Sequence, residues 1–155
     1  MPDATVHASA VLVGPRAVLI RGPSGAGKSR LALELLQSAQ SGTVRFARLV
    51  GDDRVHLEAR NGRVLVRPAE KLAGLIEVRG VGILRLPYEP VAVVGLVVDL
   101  AAEAPRLPDP SETKMELEGV KLPRLAVAPG QAALPSLLAL LTFSADAAIR
   151  TDAAL

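Results

Sequence analysis

The stretch Gly22-Pro23-Ser24-Gly25-Ala26-Gly27-Lys28-Ser29 constrains this chain more than any other. It satisfies the pattern G-x-x-x-x-G-K-[ST] at each fixed position, and its flanks suit it. Ala17-Val18-Leu19-Ile20 ahead of it is a short apolar run with the composition of a buried strand. Arg30-Leu31-Ala32-Leu33-Glu34-Leu35-Leu36 behind it consists of strong helix formers. Leu31 and Leu35, and Ala32 and Leu36, are four apart and share an apolar face. In a strand, glycine loop and helix, Gly22, Gly25 and Gly27 let the backbone wrap phosphate oxygens. Amide N–H groups and the helix N-terminus then point at the anion. Lys28 supplies a mobile cation for the outer phosphates, and the Ser29 hydroxyl is the expected ligand for Mg²⁺. The chain is predicted to bind a nucleoside triphosphate.

Composition narrows the remaining choices. A length of 155 residues suits one domain spanning 1–155 with an aliphatic core, since only Phe46, Tyr88 and Phe143 are aromatic. No aromatic platform for single-stranded nucleic acid is visible, and a net charge of +2 spread along the chain argues against a nucleic-acid footprint. The absence of cysteine excludes disulfides and thiolate metal sites. Met1-Pro2-Asp3-Ala4-Thr5 lacks the regions of a signal peptide, and the apolar run Val91 to Val98 is far shorter than a membrane span. A cytoplasmic enzyme without a membrane partner is expected.

The chain reads as many short strands around one phosphate-loop unit. Strands are predicted at Thr5–Ser9, Ala10–Val13, Ala17–Ile20 and Phe46–Val50, with a helix from Ser29 to about Ala39. Val55–Ala59 and Val64–Arg67 form a hairpin about Asn61-Gly62. Pro68–Gly74 is expected to be a short helix, and Leu75–Val78 and Ile83–Leu86 are extended. Val91–Leu100 is a central strand and Ala101–Glu118 a flexible surface loop or lid. Leu125–Val127 is the last strand, followed by a helix over Gln131–Leu141 and a tail, 144–155, expected to fray. Strands and helices do not alternate as in a doubly wound fold, so an α/β domain with a mixed β-sheet and flanking helices is predicted.

Several residues beside the loop could carry chemistry. Asp52 and Asp53 end a strand and could divide metal support and proton acceptance between them, or merely begin a hairpin turn. Asp99, ending Val94-Gly95-Leu96-Val97-Val98, is a rival that pattern alone does not exclude. Glu77 and Arg79, two apart in an extended segment, share one face that either enters a site or meets solvent. His7 and His56 both read as strand residues, and Arg106 is either a solvated charge or a guanidinium brought over phosphates by loop closure.

Together these residues resemble the catalytic domain of the bacterial HPr kinase/phosphorylase family, whose members phosphorylate a serine of HPr, the phosphocarrier protein of the sugar phosphotransferase system. The resemblance lies in His7 ahead of Gly22, then Leu49-Val50-Gly51-Asp52-Asp53-Arg54-Val55, then Glu77-Val78-Arg79-Gly80-Val81-Gly82-Ile83. It runs more weakly to about residue 135. It implies ATP and Mg²⁺ as cofactors, HPr as partner, and a fold related to phosphoenolpyruvate carboxykinase. It implies Asp53 as proton acceptor, Asp52 in support, Lys28 as catalytic lysine, and Ser29 and Glu77 as Mg²⁺ ligands. His7 matches the family's site histidine and Arg106 the arginine of its mobile loop. The family forms hexamers, which implies a homo-oligomer. The chain resembles short versions without the N-terminal domain. It carries Pro87-Tyr88-Glu89-Pro90 where a glycine-rich segment is usual, and Gln131 where an arginine serves dephosphorylation. A kinase with weak or absent phosphorylase activity is therefore expected. A P-loop kinase of a small molecule and a non-catalytic nucleotide-binding regulator are the alternative readings.

Overall fold

The computed structural model describes residues 4–143, so the tail 144–155 lies outside the described residues. Each strand is short, and what gives them a common core is the order in which they pair. The elements are β1 (Val6–His7), β2 (Ser9–Val13), β3 (Arg16–Arg21), α1 (Lys28–Gln40), β4 (Ala47–Gly51), β5 (Arg54–Arg60) and β6 (Arg63–Pro68). They continue as β7 (Leu75–Val78), β8 (Gly82–Arg85), β9 (Ala92–Asp99), β10 (Lys114–Leu117), β11 (Val120–Ala126) and α2 (Ala133–Thr142). The main sheet runs β1-β5-β6-β9-β3-β2-β4. Beyond the short stretch where β6 pairs with the start of β9, the end of β9 pairs with β11, which carries β10. The α/β fold with a mixed sheet predicted from the sequence is the observed one.

Strand direction decides where a site can form. β3, β9 and β11 are mutually parallel, and β4, antiparallel to β2, which is itself antiparallel to β3, runs the same way. Four carboxyl ends therefore meet at one edge, the place where ligands bind in open α/β sheets. The phosphate loop leaves from β3 and Asp52-Asp53 from β4.

Alternation in β3 sends Ala17 and Leu19 to one core and Val18 and Ile20 to the other. The second core receives Leu31 and Leu35 of α1, Ile76 of β7 and Leu137 of α2, all nearly or fully buried. Covering a leucine of this kind contributes about 1.5–3 kcal/mol. β9 breaks its alternation at Gly95, where the register with β3 slips. That bulge turns Leu96 and Val98 towards α1, and a Cβ on Gly95 would lie 2.6 Å from Cβ of Arg16.

Three local expectations change. Pro68 ends β6 opposite Val55 instead of starting a helix, which leaves only a single 3₁₀ turn at Glu70–Leu72. The segment 101–118 is loop only as far as Asp109. Thereafter it forms a 3₁₀ turn, Pro110–Thr113, and β10, which pairs with β11 through the turn Glu118-Gly119, both at positive φ. The break between the first two strands falls at Ala8 and not after Ser9, so that β1 lies beside β5 and Ser9 joins β2 beside β3.

Candidate active site

The phosphate loop is set by its glycines. Gly25 and Gly27 have φ of 84° and 99°, a region that disfavours side chains, and a Cβ on Gly22 would sit 3.1 Å from Cβ of Leu100. Gly27 also caps α1 without a side-chain bond, and the first turn carries no acidic residue. The leading amides of α1 are therefore open to an anion, with no acidic residue of that turn to compete. Lys28 Nζ donates to the carbonyls of Gly22 at 2.8 Å and Pro23 at 3.2 Å, which folds the lysine along the loop. Pro23 and Ser24 are exposed, while Ala26 closes the turn by donating its N–H to the Pro23 carbonyl.

Asp52 and Asp53, adjacent in sequence, occupy opposite environments. Asp52 is 4% exposed; its Oδ1 accepts from Ser9 Oγ at 2.6 Å, and Ser29 Oγ approaches both carboxylate oxygens at 2.8 Å. This bond commits the Ser29 proton to Asp52 and leaves the hydroxyl lone pairs free to coordinate a cation. Asp53 turns outward with φ of 70°, its side chain 67% exposed and Oδ1 3.8 Å from Nδ1 of His7. The turn is pinned from both sides. Ala8 N–H donates to the Asp53 carbonyl and Arg54 N–H to that of Asp52. Gly51 has to be small, because a Cβ there would lie 2.8 Å from Val55 Cγ1. The break at Ala8 thus places His7 and Ser9 on either side of the aspartate pair.

The structure brings Lys28, Ser29, Asp52, Asp53 and His7 to one edge. Glu77 is exposed on β7, whose neighbour Ile76 packs in the same core as Leu31 and Leu35. No cluster of three or more metal-ligating acidic, His or Cys side chains occurs among the described residues. Arg106 is exposed and lines a cavity of about 230 Å³ with Glu112, Arg124 and Gln131. Gln131 also borders a cleft of about 200 Å³ beside Gly25 and Ala26, so the two spaces are neighbours, yet Arg106 does not line the cleft itself. His56 bonds to the Ala4 carbonyl. Sequence reasoning missed Ser9, a hydroxyl in the apolar run Ser9-Ala10-Val11 that is fully buried against Asp52. It also missed Arg54, whose Nη2 lies 2.9 Å from Nε2 of His7.

The rival carboxylate, Asp99, is already engaged. Arg21 bonds to it through Nε at 2.8 Å and Nη2 at 2.9 Å, and Arg124 through Nε at 2.6 Å. Two guanidinium groups make a cation ligand of it unfavourable. Burial opposes its ionisation, but the hydrogen bonds and charges of the two arginines outweigh burial and hold its carboxyl below the usual carboxylate range. A depressed folded value means that the triad stabilises above the unfolded carboxylate pKa of about 3.9. That stability disappears as pH falls through the lower folded value. Asp99→Asn is therefore expected to lower stability at pH 7 and to close the gap to wild type in acid, read by urea unfolding at a series of pH values. A gap independent of pH would refute the assignment.

The comparisons with known proteins identify the family. The family described as HPr Serine kinase C-terminal domain matches residues 1–88. An HPr kinase/phosphorylase of Streptococcus thermophilus (strain ATCC BAA-491 / LMD-9) is 39% identical over 136 residues, covering 79% of this chain and 41% of the relative. One from Limosilactobacillus reuteri (strain DSM 20016) is 34% identical over 139 residues, covering 81% and 41%. The chain thus spans about two fifths of the length of these relatives. The structure of the Hpr(Ser) kinase/phosphatase from Coxiella burnetii superposes with a TM-score of 0.71 at 26% identity, over 94% of this chain and 92% of that one. The loop, the aspartate pair and the matched sequence coincide, and the chain belongs to the HPr serine kinase C-terminal domain family.

Proposed function

We propose that the protein is an ATP- and Mg²⁺-dependent kinase that phosphorylates a serine of HPr. The observation that carries this reading is the bond from Ser29 of the phosphate loop to Asp52, which ties the aspartate turn that bears Asp53 to the loop. The loop amides and Lys28, released from the Gly22 and Pro23 carbonyls, bind the phosphates. Asp53 accepts the serine proton while the serine oxygen forms a bond to the γ-phosphorus and the bond to the β-bridging oxygen breaks, releasing ADP. A serine hydroxyl and a carboxylate are oxygen donors of the kind Mg²⁺ takes beside phosphates and water, and Ser29 and Glu77 would hold it. Bound there, it would neutralise charge on the β- and γ-phosphate oxygens. No described helix is long and apolar enough to cross a membrane.

The test is transfer from γ-labelled ATP to the host's HPr. Label on serine that is abolished by EDTA is expected; tight ATP binding with no transfer to HPr would overturn the reading.

The reverse chemistry is expected to be weak. Phosphorolysis would pass the phosphoryl group from phosphoserine to inorganic phosphate, giving free serine and pyrophosphate. Gln131 Oε1 is occupied by the Ala128 N–H at 3.3 Å, and a neutral amide cannot replace a guanidinium in gripping phosphate. Phosphoserine-HPr with inorganic phosphate should release pyrophosphate far more slowly than the kinase runs. Comparable rates would overturn this expectation.

A further inference from the structure

His7 and Arg54 are direct cross-strand partners in the β1–β5 pairing, so their juxtaposition is set by the backbone. Arg54 Nη2 lies 2.9 Å from His7 Nε2, and its Nη1 donates to Thr5 Oγ1 at 3.0 Å, which orients the guanidinium. A guanidinium can only donate and stays charged, so Nε2 of His7 must be the acceptor and carries no hydrogen. The single ring proton then sits on Nδ1, the nitrogen that faces Asp53 at 3.8 Å. That separation exceeds a hydrogen bond, and a small rotation of either side chain closes it. Of the other titratable groups on β5, His56 bonds to the Ala4 carbonyl through its own Nδ1 and Glu58 pairs with Arg60 and Arg67.

We propose that Arg54 is a positioning residue that locks His7 in the Nδ1–H tautomer, so that His7 is a fixed donor to Asp53 and not a competing base. A donor on one Asp53 oxygen leaves the other oxygen for the serine hydroxyl. This removes the ambiguity of two adjacent proton acceptors, since a bare Nδ1 would itself compete for the serine proton. The role rests on reading Asp53 as the base; the tautomer does not.

The first measurement is the ring-nitrogen NMR spectrum of protein labelled with ¹⁵N-histidine at neutral pH, with His7 assigned by comparison with His56→Gln. His7 is expected to carry its proton on Nδ1 and leave Nε2 bare. Arg54→Ala should move it to the Nε2–H form that a free imidazole prefers, and Arg54→Lys, which also only donates, should retain Nδ1–H. An Nε2–H or doubly protonated His7 in the wild type, or a tautomer unmoved by Arg54→Ala, would overturn the proposal. In kinetics, Arg54→Ala should lower kcat about tenfold, the size of one lost positioning hydrogen bond, with KM for ATP unchanged and partial rescue by lysine. An unchanged kcat would remove the role in catalysis. The spectrum is independent of catalysis, so an Nδ1–H result in a protein that transfers no phosphate would sink the kinase reading and leave the tautomer standing.

Discussion

Asp53→Asn is expected to lower phosphate transfer from ATP to HPr by about 10²–10⁴-fold, the usual worth of a general base. The substitution is unusually clean. Asparagine tolerates the left-handed backbone that Asp53 adopts at φ of 70°, so the turn keeps its shape. The side chain is 67% exposed, and the stability change should stay within about 0.5 kcal/mol. Asparagine can still accept from His7 through its oxygen. What it loses is the ability to take a proton at neutral pH. The loss should therefore fall on kcat, with ATP affinity retained because Asp53 makes no bond to the phosphate loop. Initial rates of label transfer, paired with equilibrium binding of a fluorescent ATP analogue, separate the two quantities. A rate within a few-fold of wild type would show that the serine proton leaves by another route.

The sequence carried the loop because spacing and both flanks agreed, and Asn61-Gly62 because a tight hairpin demands two positive φ values, 53° and 76° here. Other features depend on residues far apart in the chain. Asp99 looked as suitable as Asp52 until Arg21, 78 residues away, and Arg124, 25 residues away, were seen to grip it. The roles of Asp52 and Asp53 were not separable by pattern, because one backbone rotation at Asp53 sends neighbouring carboxylates to the interior and to solvent. Ser9 acquires its function only because β2 crosses beside both β3 and β4. Lys114-Met115-Glu116-Leu117 does alternate, with Met115 and Leu117 packed into a core, but the acidic and proline-rich stretch before it masked a four-residue strand. Arg106, matched by resemblance, lines a cavity next to the loop cleft. Its chemical role rests on the motif alone.

Asp52 should behave unlike its neighbour. Asp52→Ala removes the acceptor of two hydroxyls at once, and one of them, Ser9, is fully buried. A buried donor left without a partner costs about 1–3 kcal/mol, so the denaturant midpoint should fall clearly below wild type. Asp52→Asn keeps one carbonyl oxygen, and either hydroxyl can rotate to accept from its amide. It gives up the charge-assisted bonds, which are roughly twice as strong as neutral ones. The expected order of stability is wild type and Asp53→Asn together, then Asp52→Asn, then Asp52→Ala. Transfer should fall as well, since Ser29 loses the partner that orients its lone pairs. This loss should be accompanied by weaker binding of Mg²⁺-ATP, whereas Asp53→Asn leaves binding intact. Equal stability of Asp52→Ala and Asp53→Asn would mean that the Ser9–Asp52–Ser29 link does not hold the turn to the loop. The proposed site would then lose the bond on which its geometry depends.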